Sequence, residues 1–263
     1  MSTPKFKVIY DRPGEYVYGE LGLNLYTNCS HKCKYCYNKV SDRQQGPYDE
    51  PAKGATPSNI EHDLQILRRE HNRRPVWLSA LCDPYDLGRE APSKPKGLFQ
   101  YDKQKEAKPV GNGYTRAVLE RFRFYDQPFS VLTKGGMLAA KDFDLYGPND
   151  KFGCTLTFDN DVHSNQYEPG AALRTAHSRG IQTTASIDPV IYPHQSLHLI
   201  EMTHEFVDFY FLEPLSWFPK EAAKIDWPKF RVDAEALLQS LGKQPERDYR
   251  FLPGHDRRDV EDF

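Results

Sequence analysis

From about Leu21 onward, short apolar runs alternate with amphipathic stretches, and most of the intervening loops are brief. Apolar runs of this length read as buried strands, and stretches with apolar positions three and four apart read as helices lying against them. The predicted strands are Leu21–Tyr26, Val76–Leu81, Phe129–Thr133, Gly153–Phe158, Gln182–Ile187 and Val207–Leu212. The first predicted helix is Pro57–Arg73, with Leu64 and Leu67 on one face and Thr56 or Ser58 as its cap. Further helices are predicted at Thr115–Phe124, Met137–Tyr146, Gly170–Ser178 with Gly180 as its stop, Ser196–Phe206 and Phe230–Leu241.

Six β/α units in series predict an α/β fold: a partial (β/α)6 TIM-like barrel with parallel strands. Right-handed crossovers keep such strands parallel and bury both faces of the sheet under helices. Chemistry in that architecture belongs at the C-terminal strand ends. The rhythm breaks at Pro84–Tyr114, rich in Lys, Gly and Pro. A connection this long predicts a lid insertion over residues 84–114. The chain as a whole, 1–263, reads as one domain with a short C-terminal tail.

Composition narrows the function classes. The 35 basic and 37 acidic side chains nearly cancel, so no global field draws the chain to polyanions or anionic membranes. Lys94, Lys96, Lys103, Lys105 and Lys108 in the insertion form the one local basic stretch, interrupted by Glu90, Asp102 and Glu106, and read as a solvated lid. The N-terminus has no apolar signal core, and no run of 18 uncharged apolar residues occurs, so the expectation is a cytoplasmic protein without a membrane span. Five cysteines, three of them within eight residues, point to a metal or redox site in preference to disulfides.

That cysteine cluster is Cys29-Ser30-His31-Lys32-Cys33-Lys34-Tyr35-Cys36, immediately after the first predicted strand. Three thiolates on one short loop can ligate three corners of a 4Fe-4S cluster and leave the fourth iron without a protein ligand. The open iron can then chelate the amino and carboxylate groups of S-adenosylmethionine. A competing reading is a zinc site in which His31 completes Cys29, Cys33 and Cys36. Zinc ribbons and fingers bring their ligands as two separated pairs, and no second pair occurs here. Cys82 and Cys154 fall in predicted strands, where buried thiols are ordinary, so one cluster is expected.

The CxxxCxxC loop, with aromatic Tyr35 before its last cysteine, resembles that of the radical S-adenosylmethionine superfamily. Ser79-Ala80-Leu81-Cys82-Asp83-Pro84-Tyr85, Leu132-Thr133-Lys134, Cys154-Thr155-Leu156-Thr157, Ser186-Ile187-Asp188-Pro189 and Phe211-Leu212-Glu213-Pro214-Leu215 are similar to the spore photoproduct lyase-like, DNA repair photolyase branch. The resemblance spans about residues 20–217. It implies reductive cleavage of S-adenosylmethionine to a 5′-deoxyadenosyl radical that abstracts hydrogen from a substrate, with a nucleic-acid lesion or modified base as the leading candidate. It also implies an electron donor such as flavodoxin or ferredoxin.

By the same resemblance Cys29, Cys33 and Cys36 are the metal ligands, Tyr35 contacts the adenine and Lys134 pairs with the methionine carboxylate. Thr155 and Thr157 alternate with apolar neighbours and would turn hydroxyls inward. Asp188 and Glu213 follow strands and could accept from ribose or substrate hydroxyls. Ser79, Asp83 and Tyr85 lie where the second strand presents its end. Cys82 is the candidate hydrogen donor, although its thiol falls slightly later than the family's donor. Two alternatives stay open: a radical enzyme acting on a peptide or protein, and a zinc-stabilised, noncatalytic nucleic-acid-binding protein.

Overall fold

The computed structural model describes residues 6–12, 18–36, 51–86, 113–163, 168–216 and 218–252. Eight strands lie within them: β1 (Tyr10–Asp11), β2 (Leu21–Leu23), β3 (Val76–Leu78), β4 (Phe129–Thr133), β5 (Lys151–Thr155), β6 (Gln182–Val190), β7 (Phe209–Pro214) and β8 (Tyr249–Phe251). They pair in chain order in a single sheet, antiparallel between β1 and β2 and parallel from β2 to β8. The described helices are α1 (Pro57–Arg69), α2 (Gly113–Phe124), α3 (Asn160–His163), α4 (Pro169–Ser178), α5 (Pro193–Thr203), α6 (Pro219–Ala222) and α7 (Trp227–Ser240). Strands β2 to β7 are the six the hydrophobic pattern predicts, in a partial parallel barrel. None of the described helices is long and apolar enough to cross a membrane.

Register sorts the strand residues into two faces. Thr133, Cys154, Ala185, Tyr210 and Tyr249 are aligned across β4 to β8, and the first four of these strands meet the helices with buried side chains there. The opposite face carries Leu132, Gly153, Thr184 and Phe209 in one row and Thr155, Ser186, Phe211 and Arg250 in the next. This second face is the concave interior, and it is closed from below by Tyr18. The Tyr18 ring packs on Trp77 and Phe211 at 4.9 and 4.7 Å, its hydroxyl meets Ser186 Oγ at 2.6 Å, and its carbonyl accepts from Ser130 Oγ.

Local chemistry explains the element ends. Thr56 caps α1 by accepting from Asn59 N at 3.3 Å, with Pro57 in the first turn, and α4 stops where Gly180 takes φ of +75°. The helix predicted at Met137–Tyr146 is instead a 3-10 helix over Gly136–Leu145. Its buried residues are Gly136, Ala139, Asp142 and Phe143. Asp142 must face inward there, because it accepts from Tyr85 Oη at 2.8 Å and from Arg116 at 3.1 Å.

Several expected boundaries move. The first two predicted strands end early, at Leu23 and Leu78, because Ser79 turns with φ of +67° and its hydroxyl takes the Leu25 N–H at 3.3 Å. The fourth starts at Lys151 and ends at Thr155, and α1 stops at Arg69. Strands β1 and β8 were not predicted; two or three residues carry too little periodicity to be read. Of the expected lid, residues 87–112 lie outside the described residues, including all of its lysines, and so does the tail beyond residue 252.

A single buried carboxylate anchors the chain before β1. Asp63, in α1, accepts from the backbone N–H groups of Lys7, Val8 and Ile9 at 2.8 to 3.0 Å. Hydrogen bonds to a charged group contribute about 1.5–3 kcal/mol. Replacing Asp63 by Ala should therefore lower the unfolding free energy by about that amount in urea titrations; an unchanged midpoint would show that this anchor adds nothing.

Candidate functional site at the barrel mouth

The cysteine loop follows β2 directly, so strand order alone brings it to the C-terminal end of the sheet. Cys29, Cys33 and Cys36 are all partly buried and free of disulfides. A turn closes the second half of the loop, with Cys36 N donating to Cys33 O at 3.3 Å. The first half is gripped by the segment that follows β3. Asp86, fully buried, accepts from both the backbone N–H and the hydroxyl of Ser30. Asp83 accepts from His31 Nε2 at 3.2 Å.

Asp83 is a junction. Besides His31, its oxygens take the N–H of Tyr85 at 2.8 Å, the N–H of Lys134 at 2.6 Å and the hydroxyl of Thr133. Burial pushes this carboxyl upward, yet His31 and the donated hydrogen bonds outweigh it and hold the pKa below the usual carboxylate range. The reciprocal holds for His31: burial would lower it, and the Asp83 charge and hydrogen bond raise it above its ordinary value. Both shifts favour the charged pair. Burial and the Asp83 carboxylate push the Cys29 thiol up to about 12, while N–H groups of Asp83 and His31 hydrogen-bond the sulfur and act the other way.

Beside the loop opens a cavity of 410 Å³, lined by His31, Cys33, Lys34, Tyr35, Lys134 and Thr155, with Phe158, Asn160, Asp161 and Pro169. Tyr35 is fixed by its hydroxyl, 3.0 Å from Thr157 Oγ1, and by an edge contact with Phe158 at 6.1 Å. The Lys134 ammonium lies 5.0 Å from the Tyr35 ring centroid. Burial would lower the Lys134 pKa, but the Tyr35 oxygen, the Cys33 sulfur and Asp161 outweigh burial and hold it above the ordinary lysine value. Asp161 in turn caps the turn after β5, accepting from Thr157 N and Phe158 N at 2.6 and 2.9 Å.

The residues singled out in the sequence thus separate into groups. Tyr35, Lys134 and Thr155 face the cavity together with Cys33. Asp83, Ser79 and Thr157 occupy the same end of the sheet, with their polar atoms engaged by other protein groups. The Cys82 thiol is directed at Tyr26 O, 2.9 Å away. Tyr85 is buried, its hydroxyl on Asp142, and Cys154 lies behind the sheet among the core side chains. Asp188 and Glu213 are outside that cavity wall, one layer above Tyr18 inside the barrel. Burial raises both carboxyls; Lys134 opposes the shift at Asp188, and Asp188 adds to it at Glu213. Sequence reasoning missed Ser30, Asp86, Thr133, Phe158 and Asp161. Asp83 and Asp86, three apart just after a strand, were the one legible sign of the clamp.

Thiols of this kind suit a soft metal centre, which deprotonates them on binding. Among the described residues no three His, Cys, Asp or Glu side chains converge closely enough to hold a single ion. A lone tetrahedral zinc would need its sulfurs about 3.8 Å apart, given Zn–S bonds of about 2.3 Å. Thiolates on different corners of an iron-sulfur cube stand farther apart than that.

Fold and site together define an open parallel β/α barrel with a three-thiol loop at its mouth. No family model matches the chain. It is 23% identical over 207 residues to Uncharacterized protein MJ0683 of Methanocaldococcus jannaschii, covering 74% of this chain and 70% of that protein. Its fold is similar to Streptococcus suis SuiB bound to S-adenosylmethionine, with TM-score 0.55, 9% identity, and coverage of 89% of this chain and 47% of SuiB. It is equally similar to SuiB bound to precursor peptide SuiA, with TM-score 0.56, 9% identity, and coverage of 89% and 48%. The chain spans about half the length of SuiB, and at this identity the likeness is one of fold.

The carboxylate pair sets a pH dependence. Both groups have folded pKa values above their unfolded ones, so the folded state holds more protons through the intervening range. Their contribution to stability is complete below the ordinary carboxylate range and is lost as the pH rises through the raised values. Thermal stability should therefore decline between about pH 4 and about pH 8, and Glu213→Gln should flatten that decline. A variant whose profile parallels the wild type would place the pH dependence elsewhere.

Proposed function

We propose that this chain is a radical S-adenosylmethionine enzyme. The reading rests on one observation above others: three thiols outside any disulfide, spaced CxxxCxxC on the loop after the first parallel strand, beside a cavity walled by Tyr35 and Lys134. Cys29, Cys33 and Cys36 would hold one 4Fe-4S cluster. When bound, the cluster and S-adenosylmethionine supply a one-electron cleavage that yields a hydrogen-abstracting 5′-deoxyadenosyl radical.

The chain's own residues bind, orient and exclude. Tyr35, pinned by Thr157 and Phe158, offers a fixed aromatic face for the adenine. Lys134 brings a positive charge for the methionine carboxylate, a task suited to a point-charge ammonium. The Thr155 hydroxyl lies in the same wall. Asp188 and Glu213, with Tyr18 beneath them, would accept hydrogen bonds from ribose or substrate hydroxyls. Ser79, Asp83 and Thr157 act by holding these groups in place. Cys82 remains the candidate donor of hydrogen to a product radical; its thiol would leave the Tyr26 carbonyl to do so.

The leading substrate class is a nucleic-acid lesion or modified base, by the segments shared with the photoproduct lyase-like branch. A peptide is the second reading, favoured by the fold shared with SuiB, which binds a precursor peptide. Fold alone does not choose between them. Flavodoxin or ferredoxin would deliver the electron.

Anaerobic purification and reconstitution test the assignment. Brown protein with about four irons per chain should release 5′-deoxyadenosine from S-adenosylmethionine and dithionite, and Cys33→Ala should abolish both colour and product. Lys134→Ala should weaken S-adenosylmethionine binding by roughly tenfold or more, the worth of a charge-assisted hydrogen bond. Colourless protein carrying stoichiometric zinc would overturn the assignment. A Cys82→Ala enzyme giving the same product in the same yield would remove that thiol from the chemistry.

A further inference from the structure

We infer that Asp83 and Asp86 form a clamp, built into the segment after β3, that sets the conformation of the cysteine loop before any metal arrives and ties it in register with Lys134. The inference rests on the cluster assignment above for its purpose, and on the hydrogen bonds alone for its geometry.

The loop contains no helix or strand; inside it Cys36 N donates to Cys33 O and the His31 N–H reaches the Cys29 sulfur. Its first half is fixed from outside at three consecutive residues. The Cys29 sulfur receives the N–H of Asp83, Ser30 gives both N–H and hydroxyl to Asp86, and His31 gives Nε2 to Asp83. His31 Nε2 also lies 3.3 Å from the Tyr85 carbonyl, so the imidazole spans the clamp segment. Both carboxylates are buried, at 8% and 0% exposure, and the His31 side chain is 4% exposed, so water does not compete for these bonds.

The second half of the device runs to the other wall of the cavity. Through its remaining donors Asp83 holds Thr133 and the Lys134 N–H, the end of β4. Gly135 makes this approach possible: a Cβ there would come within 2.5 Å of the Tyr85 carbonyl oxygen. One carboxylate therefore fixes the distance between the thiol loop and Lys134, which among the described residues shares the cavity wall with Lys34 of the loop itself. Asp83 and Asp86 are positioning residues: they touch loop and strand, not the reacting atoms. Outer partners of this kind orient metal ligands, and losing one typically costs 10- to 100-fold in metal affinity.

The test uses the full chain with two readouts. In iron-free protein, alkylation by iodoacetamide at Cys29, Cys33 and Cys36 is followed by mass spectrometry. In anaerobically reconstituted protein, the rate of iron loss to a chelator and the electron paramagnetic resonance spectrum of the reduced cluster are recorded. Asp86→Asn and His31→Phe should speed Cys29 alkylation and iron loss by roughly 10- to 100-fold and broaden the spectrum. Ser30→Thr, which keeps both donors, should behave as wild type where Ser30→Ala does not. Because Asp83→Asn removes charge from a buried hub and puts folding itself at risk, the loop-side variants of Ser30 and His31 carry the test, with circular dichroism showing that they fold. Wild-type alkylation and iron-loss rates in folded Ser30→Ala and His31→Phe would overturn the clamp. Wild-type protein that takes up no iron, yet shows the alkylation differences, would leave the clamp standing and sink the cluster assignment instead.

Discussion

The Asp83 carboxylate, buried under the mouth of the barrel, meets donors from three separate stretches of chain: His31 on the cysteine loop, Tyr85 in its own segment, and Thr133 and Lys134 at the end of β4. A buried charge is costly unless it is paired and fully hydrogen-bonded, and here these donors answer that cost. The consequence is mechanical. Loops that would otherwise move independently are held to one another through a single group, and the cavity between them keeps its shape.

That junction works because the barrel beneath it is rigid and in register. Aligned rows of side chains across β4 to β7 set Cys154, Ala185 and Tyr210 on one face and Leu132, Gly153, Thr184 and Phe209 on the other. Gly153 keeps the interior open at its row, where a Cβ would press on the Thr184 carbonyl oxygen at 3.0 Å. Tyr18 fills the floor with an aromatic plug that is hydrogen-bonded to Ser186. Burial raises the pKa values of Asp188 and Glu213, and the Lys134 charge opposes the shift at Asp188.

Charge in the mouth is arranged in layers of opposite sign. The His31–Asp83 pair neutralises itself, whereas Lys134 remains cationic beside the ring of Tyr35 and the sulfur of Cys33. A fixed cation in a wall that also carries the Tyr35 and Phe158 rings is suited to an anionic group on a flat ligand. The same geometry keeps Cys82 and Cys154 out of the cavity, one toward a backbone carbonyl and one behind the sheet.

The amino-acid sequence determined the β/α alternation, the six central strands and the chemistry of the thiol loop, because periodicity and close cysteine spacing are local properties. It could not show β1 or β8, whose few residues become strands only by pairing with β2 and β7. Nor could it show that the stretch after Gly135 would wind as a 3-10 helix, since that depends on Asp142 meeting Tyr85 and Arg116. Which polar residues face the cavity and which brace it was likewise decided in three dimensions. Asp83 and Lys134 read alike as strand-end residues with polar tips, yet one is saturated by protein donors and the other borders open space. Hydrogen bonds between residues some fifty positions apart make that distinction, and no local pattern records them.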